Sequence, residues 1–261
     1  MSTLALTMRQ TGGIGVRYVR ALLRQPAFVM ITLVQPVIWL LLFGQLFKSV
    51  ARLPGFTTDS YIEFLTPGIV VMNAMFSNGW SGMSVINDLD RGVMNRFLVS
   101  PVSRGAIIAG HLANSLVTTL AQSLIIIGLG LLAGARFHGG LGAVLLLVVA
   151  ALLLGAAFAT FSDALALLMR KEESMIAAVT FLVLPMSFLS TLLMPSSEVT
   201  AWIKDVAAYN PVNWAVEVGR QSLDANPDWG FAFSRLGFLA ALCLACLGMA
   251  VRAFGSYQRS V

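Results

Sequence analysis

Charge is scarce in this chain. Only 11% of its 261 residues are Asp, Glu, Lys or Arg, against roughly 25% in a soluble domain, which excludes an ordinary water-solvated surface. Cysteine is almost missing as well. Cys243 and Cys246 lie three apart in one apolar run, and neighbours on one helical turn seldom form a disulfide. They read as small buried hydrophobes, a lone Cys-x-x-Cys being a weak redox or metal signal. No His/Cys/carboxylate cluster has ligand spacing, so no metal is expected. There is no Gly-x-x-x-x-Gly-Lys-Ser/Thr phosphate loop and no polar stretch large enough for a nucleotide-binding domain, so any ATP has to be handled by another chain. Basic residues with interleaved aromatics are also lacking, which excludes a nucleic-acid groove. The net charge of +5 then belongs to topology and anionic lipid.

What is abundant is apolar surface, at 57% of residues. A membrane span needs about 20 apolar residues. The uncharged runs are Gln25 to Phe47, Phe64 to Asn87, Gly105 to Ala135, Phe137 to Ser162 and Ser174 to Ser197, and Leu236 to Val251 reaches that length if it begins near Trp229. The expected fold is therefore all-α and integral to the membrane, with six transmembrane helices in one domain over residues 1–261. With the N terminus inside, eleven Lys and Arg fall on inner segments and six on outer ones, so both termini are expected in the cytosol. Residues 1–25, with Arg17, Arg20 and Arg24 beside Val16, Val19, Leu22 and Leu23, fit an amphipathic helix lying in the inner interface. A signal peptide ending near Ala51 is disfavoured, because the apolar run before it is longer than the usual 7 to 15 residues.

The inner segment 87–104 is the densest charged stretch between two long apolar runs. Read as a helix from Asp88 to Val99, it sets Leu89, Val93 and Phe97 on one side, with Arg91 and Arg96 elsewhere. Pro101 stops it, and Arg104 stands where the next apolar run begins. Pro36 and Pro185 are expected to bend the first and fifth spans.

Within the spans, Asn73, Ser77, Ser81 and Ser84 recur on one helix face, and His111, Asn114, Ser115, Thr118 and Gln122 recur on another. Two readings stand: interhelical packing, or a shared surface turned to a substrate. Asp163 is the most deeply placed acid, and a charge at that depth requires a partner or water. A structural ion pair or a polar lining suits it better than a proton relay. The outer segment 195–228 is too polar to span yet carries Trp202, Tyr209, Trp214 and Trp229, residues that favour the interface. Asn210-Pro211 fits a helix start, a side-chain cap followed by proline. Val212, Ala215, Val216 and Gly219 then face one way, as in a re-entrant helical hairpin between spans five and six.

One enzymatic signal is present: Gly79-Trp80-Ser81-Gly82 resembles the nucleophile motif of rhomboid-type intramembrane proteases, with His111 at similar depth on the next span. No third orienting group is evident, and no catalytic residue is expected.

The loop RGVMNRFLVSPVSRGAIIAGH and the outer segment YNPVNWAVEVGRQ, set among six spans after an amphipathic N terminus, resemble ABC-2 type exporter permeases, especially the daunorubicin-resistance group. The most specific matches are Arg91-Gly92 through Arg96, Pro101 to Arg104 with Gly110, and Asn210-Pro211 with Arg220. The resemblance implies an export permease in a prokaryotic plasma membrane. It would pair with a second permease half, identical or not, and with two separate ABC ATPase subunits that hold the ATP and magnesium. It further implies that Asp88, Leu89, Arg91, Gly92, Val93, Arg96, Phe97, Pro101 and Arg104 form the coupling loop, and that the outer hairpin, with Asn210, Pro211, Trp214 and Arg220, closes the exit. Asn73, Ser77, Ser81, Asn114, Thr118 and Gln122 are the expected substrate path. A drug, a lipid or a glycan precursor all fit. A secondary transporter or channel working without ATP is the alternative, and an intramembrane serine protease the third.

Overall fold

The computed structural model describes residues 33–49, 60–91 and 104–259. The interfacial helix expected over 1–25 and the coupling-loop residues Gly92, Val93, Arg96, Phe97 and Pro101 lie outside the described residues. Every regular element among the described residues is helical. We number them α1 (Leu33–Leu46), α2 (Tyr61–Gly79), α3 (Gly82–Asp90), α4 (Arg104–Leu132), α5 (Gly140–Met169), α6 (Glu172–Phe188), α7 (Ala201–Ala208), α8 (Pro211–Arg220) and α9 (Trp229–Arg259).

Among the described residues, three helices are long and apolar enough to cross a membrane: Ile108–Leu132, Gly140–Met169 and Trp229–Ser256. In their described parts, the other three apolar runs form shorter or interrupted helices. α6 has 17 residues, and α2 has 19 with Glu63 in its first turn. The second run does not continue as one helix to Asn87, because it breaks between Gly79 and Gly82. In α1 the irregularity expected from Pro36 takes the form of a wide π turn over Trp39–Phe43, a common way to absorb a misfit without ending a helix. Trp39 and Phe43 stack across it at 4.5 Å. α6 runs on past Pro185 to Phe188.

α5 is the central helix and packs on α9, α2, α4, α8 and α3. It can do so because small residues line its contact faces: Ala150, Ala151, Gly155, Ala159 and Ser162 are all buried, letting neighbouring backbones approach closely. A Cβ on Gly155 would come within 2.8 Å of Asn78 Nδ2. α5 ends on Arg170 in the left-handed conformation (φ 53°), and Lys171 is extended, so two residues reverse the chain into α6. α6 buries only one stripe, Met175, Val179 and Val183, and leaves Phe181 82% exposed on the other side.

Candidate functional site

The two polar faces expected on the second and third spans do meet, in part through hydrogen bonds between the helices and in part around a cavity. Asn73 donates to Gln122 at 2.9 Å, and Asn78 donates to Thr119 at 2.8 Å; these are buried packing bonds between α2 and α4. Gln122, fully buried, thus serves the helix contact. Around the contact opens a cavity of about 420 Å³, walled by Asn73, Ser77 and Ser81 from the second run, by Asn114 and Thr118 from α4, and by Gln35 and Pro36 from α1. Phe76, Trp80 and Met72 supply its apolar wall, and His111 is its one titratable lining residue. Neutral hydrogen-bonding groups beside aromatic surface suit an amphipathic occupant.

The floor of the cavity is the break between α2 and α3. The backbone there stays close to helical, with Trp80 at φ −92°, ψ 0° and Ser81 at φ −59°, ψ −33°, but the hydrogen bonds tighten. Ser81 N–H donates to Asn78 O and Met83 N–H to Trp80 O, both at 3.1 Å, each one residue short of the regular α-helical partner. Gly79 O and Gly82 N–H therefore lose the partners that an unbroken helix supplies. Ser162 of α5 replaces both: its hydroxyl donates to Gly79 O at 2.6 Å and accepts from Gly82 N–H at 2.9 Å. A Cβ at Gly82 would collide with Ser162 O and with Met175, so glycine is what admits α5 here. Asp163, buried, accepts from Ser81 Oγ at 3.3 Å. Ser81 also reaches Ala159 O at 3.2 Å. Asp163 thus serves the break as a hydrogen-bond acceptor and is not among the residues that line the cavity. His111 stands 3.5 Å from Ser84 Oγ and 3.9 Å from Asp88, so Ser81 and His111 do not form the hydrogen-bonded pair that serine nucleophile chemistry uses.

Asp88 and Leu89 lie in α3, and Arg91 ends it, its N–H donating to Asn87 O. The helix expected from Asp88 to Val99 is thus, in its described part, the end of a helix that starts earlier and stops at Asp90. Arg104 opens α4.

At the opposite end of the bundle the hairpin is built as the capping pattern predicts. Asn210 Oδ1 accepts from Val212 N–H at 3.0 Å with Pro211 at the first helical position. Val212, Ala215, Val216 and Gly219 are buried. Asn210 Nδ2 also donates to Met186 O and Leu189 O at 2.7 and 2.8 Å, tying α8 to the end of α6. Trp214 donates to Ala208 O at 2.7 Å and packs on Phe238. Arg220 donates to Thr191 Oγ1 at 3.0 Å and to Thr191 O, with its guanidinium over Phe64 at 4.2 Å. α8 is too short to span, and burial there pushes Arg220 down to about 10 against the pull of Glu217 and Tyr61.

Several partners in this cluster escape sequence reasoning. Asn213 accepts from Thr191 Oγ1 at 2.6 Å and donates to Glu217 at 3.0 Å, and Glu217 meets Arg235 at 2.8 Å. Glu63 receives Arg136 N–H at 3.2 Å. Glu217 pairs with a cation whereas Glu63 takes a backbone amide, and neither partner is fixed by spacing along the sequence.

Residues 9–223 match the family model described as ABC-2 type transporter. A protein of Porphyra purpurea named "Putative transport permease ycf38" is 31% identical over 213 residues, 81% of this chain and 72% of that protein. The "Daunorubicin resistance ABC transporter permease protein DrrB1" of Streptomyces coeruleorubidus is 27% identical over 71% of this chain and 65% of its own length. The "Probable doxorubicin resistance ABC transporter permease protein DrrC" of Mycobacterium tuberculosis (strain H37Rv) is 24% identical over 93% of this chain and 85% of its own.

Proposed function

Because the chain belongs to the ABC-2 type transporter family, a family of membrane transport permeases, we propose that it is the membrane-spanning half of an exporter driven by a separate ABC ATPase. Six spans, with both termini in the cytosol of a prokaryotic plasma membrane, complete the reading. Two ATPase subunits and a second permease half assemble with it.

The observation that carries this reading is the position of the cavity. It lies between α1, α2 and α4, and its floor is the break from which α3 leads into the coupling loop. A push on that loop is delivered where the cavity is walled, and Ser77, Ser81, Asn114 and Thr118 face the cargo. The hairpin held by Asn210 and Arg220 closes the outer end. The mixed lining favours an amphipathic cargo, a drug or a lipid-like molecule. The alternatives lack a comparable observation, since Ser81 and His111 are engaged elsewhere and no relay of acids crosses the described spans.

The test is co-purification with an ABC ATPase co-expressed from the same genome, followed by ATP hydrolysis measured with and without added drug or lipid. Stimulated hydrolysis by the complex is the expected result. Movement of cargo by the purified permease alone would overturn the proposal.

A further inference from the structure

We propose that Ser162 of α5 is the positioning residue for coupling: its hydroxyl locks the angle of the broken span, so that a displacement of α3 reaches the cavity instead of being lost in bending. The inference rests on the permease reading above and names the part that transmits the stroke.

The argument starts from the hydrogen bonds of the break. A regular helix resists bending because each turn is tied to the next by its own N–H and C=O groups. Between Gly79 and Gly82 the span keeps only shorter i→i−3 ties, and the two groups these leave over, Gly79 O and Gly82 N–H, are both held by one hydroxyl from another helix. The stiffness at this point therefore belongs to the contact between the break and α5. Gly79 and Gly82 are both buried, so their polar groups need a partner from the protein, and the Ser162 hydroxyl is that partner. Ser81, bonded to Ala159 O and Asp163, ties the same turn to the same helix a second time. The absence of a side chain at Gly82 seats the start of α3 against the α5 backbone.

The consequence is mechanical. α3 is fixed to α5 at its first residue, and its far end, Asp90, is where the segment read above as the coupling loop continues. Trp80 and Ser81, the residues of the break, are also the cavity floor. With the Ser162 bridge in place, α3, the floor and α5 move together. Without it, only the Ser81 tie is left, the turn flexes more and the floor follows α3 less closely.

The test uses permease carrying 5-fluorotryptophan at its five tryptophans, with the Trp80 fluorine line assigned by Trp80→Phe and the Trp214 line as an internal reference. In the permease alone, Ser162→Ala is expected to broaden or shift the Trp80 line while the Trp214 line stays in place. Ser162→Cys, which keeps the volume but donates weakly, is expected to do so to a smaller extent and serves if the alanine variant fails to accumulate. In the complex with the ATPase, ATP and vanadate are expected to move the Trp80 line in the parent protein and not in Ser162→Ala, although both hydrolyse ATP. Ser162→Thr, which restores the hydroxyl, is expected to recover the response. An unchanged Trp80 line in both the alanine and cysteine variants overturns the proposal. So does a parent complex that hydrolyses ATP without moving that line. If no ATPase binds at all, the permease reading falls instead, and the measurement on the permease alone still decides whether Ser162 holds the break.

Discussion

Asn210 carries out two tasks with one amide. Its oxygen caps α8 and its nitrogen serves two carbonyls at the end of α6. Asp keeps the first task and loses the second, because a carboxylate only accepts. Asn210→Asp should therefore destabilise the protein, leaving two carbonyls without their donor at a cost of about 1 to 3 kcal/mol. Asn210→Ala should cost about 1 kcal/mol more through the lost cap. Thermal unfolding of the purified protein measures the order, and equal stability of Asn210→Asp and parent would refute it. Glu217 makes a second case. Burial raises its carboxyl pKa above the usual 4.5, although Arg235 and then Asn213 and Arg220 pull it down. The folded protein thus holds this proton more tightly than the unfolded chain, so its contribution to stability is full below pH 4.5 and is lost as pH rises through the raised value. Glu217→Gln should flatten that slope. Arg235→Met alone strands the carboxylate and should lower the melting temperature more than the double variant with Glu217→Leu.

Among elements, the coupling loop gives the sharpest contrast. If Phe97 and Val93 enter a groove on the ATPase, each contributes roughly 1.5 to 3 kcal/mol, tenfold or more in affinity, whereas an exposed Arg96 pair is worth about 0 to 1 kcal/mol. Phe97→Ala should reduce ATPase co-purification more than Arg96→Ala, with the same amount of permease in the membrane. Unchanged binding in Phe97→Ala would withdraw the coupling role of the loop. The hairpin was legible in the sequence because capping is local: Asn210, Pro211 and the buried face of α8 are neighbours along one short stretch. The break in the second run was not. Its glycines and serine were visible, but they also fit a continuous polar face. What stops the helix is Ser162, eighty residues away from Gly82. Asn78 and Thr119 were missed for a similar reason, each lying one residue off the polar ladder that runs through Ser77 and Thr118. Periodicity marks a face, and the partner helix selects which edge of it is used.

At the scale of the molecule, the six-span topology predicts that cysteines placed at Ser2, Glu172 and Ser260 react only with reagent on the cytosolic side. One at Asp205 should react only from outside. Reversed labelling at any two of these positions breaks the topology. The central place of α5 also bears on how the chain is made. α5 leaves the ribosome well before α9, the helix with which it shares its most extensive contact. When α5 enters the membrane, α2, α3 and α4 are already available to receive Ser162, Asp163 and Gly155, so its polar side is covered at once. Its other side waits in lipid until the last helix is translated. A nascent chain arrested after Arg220 would be an insertion intermediate with the polar side of α5 covered, its largest apolar seam open, and Glu217 still waiting for Arg235.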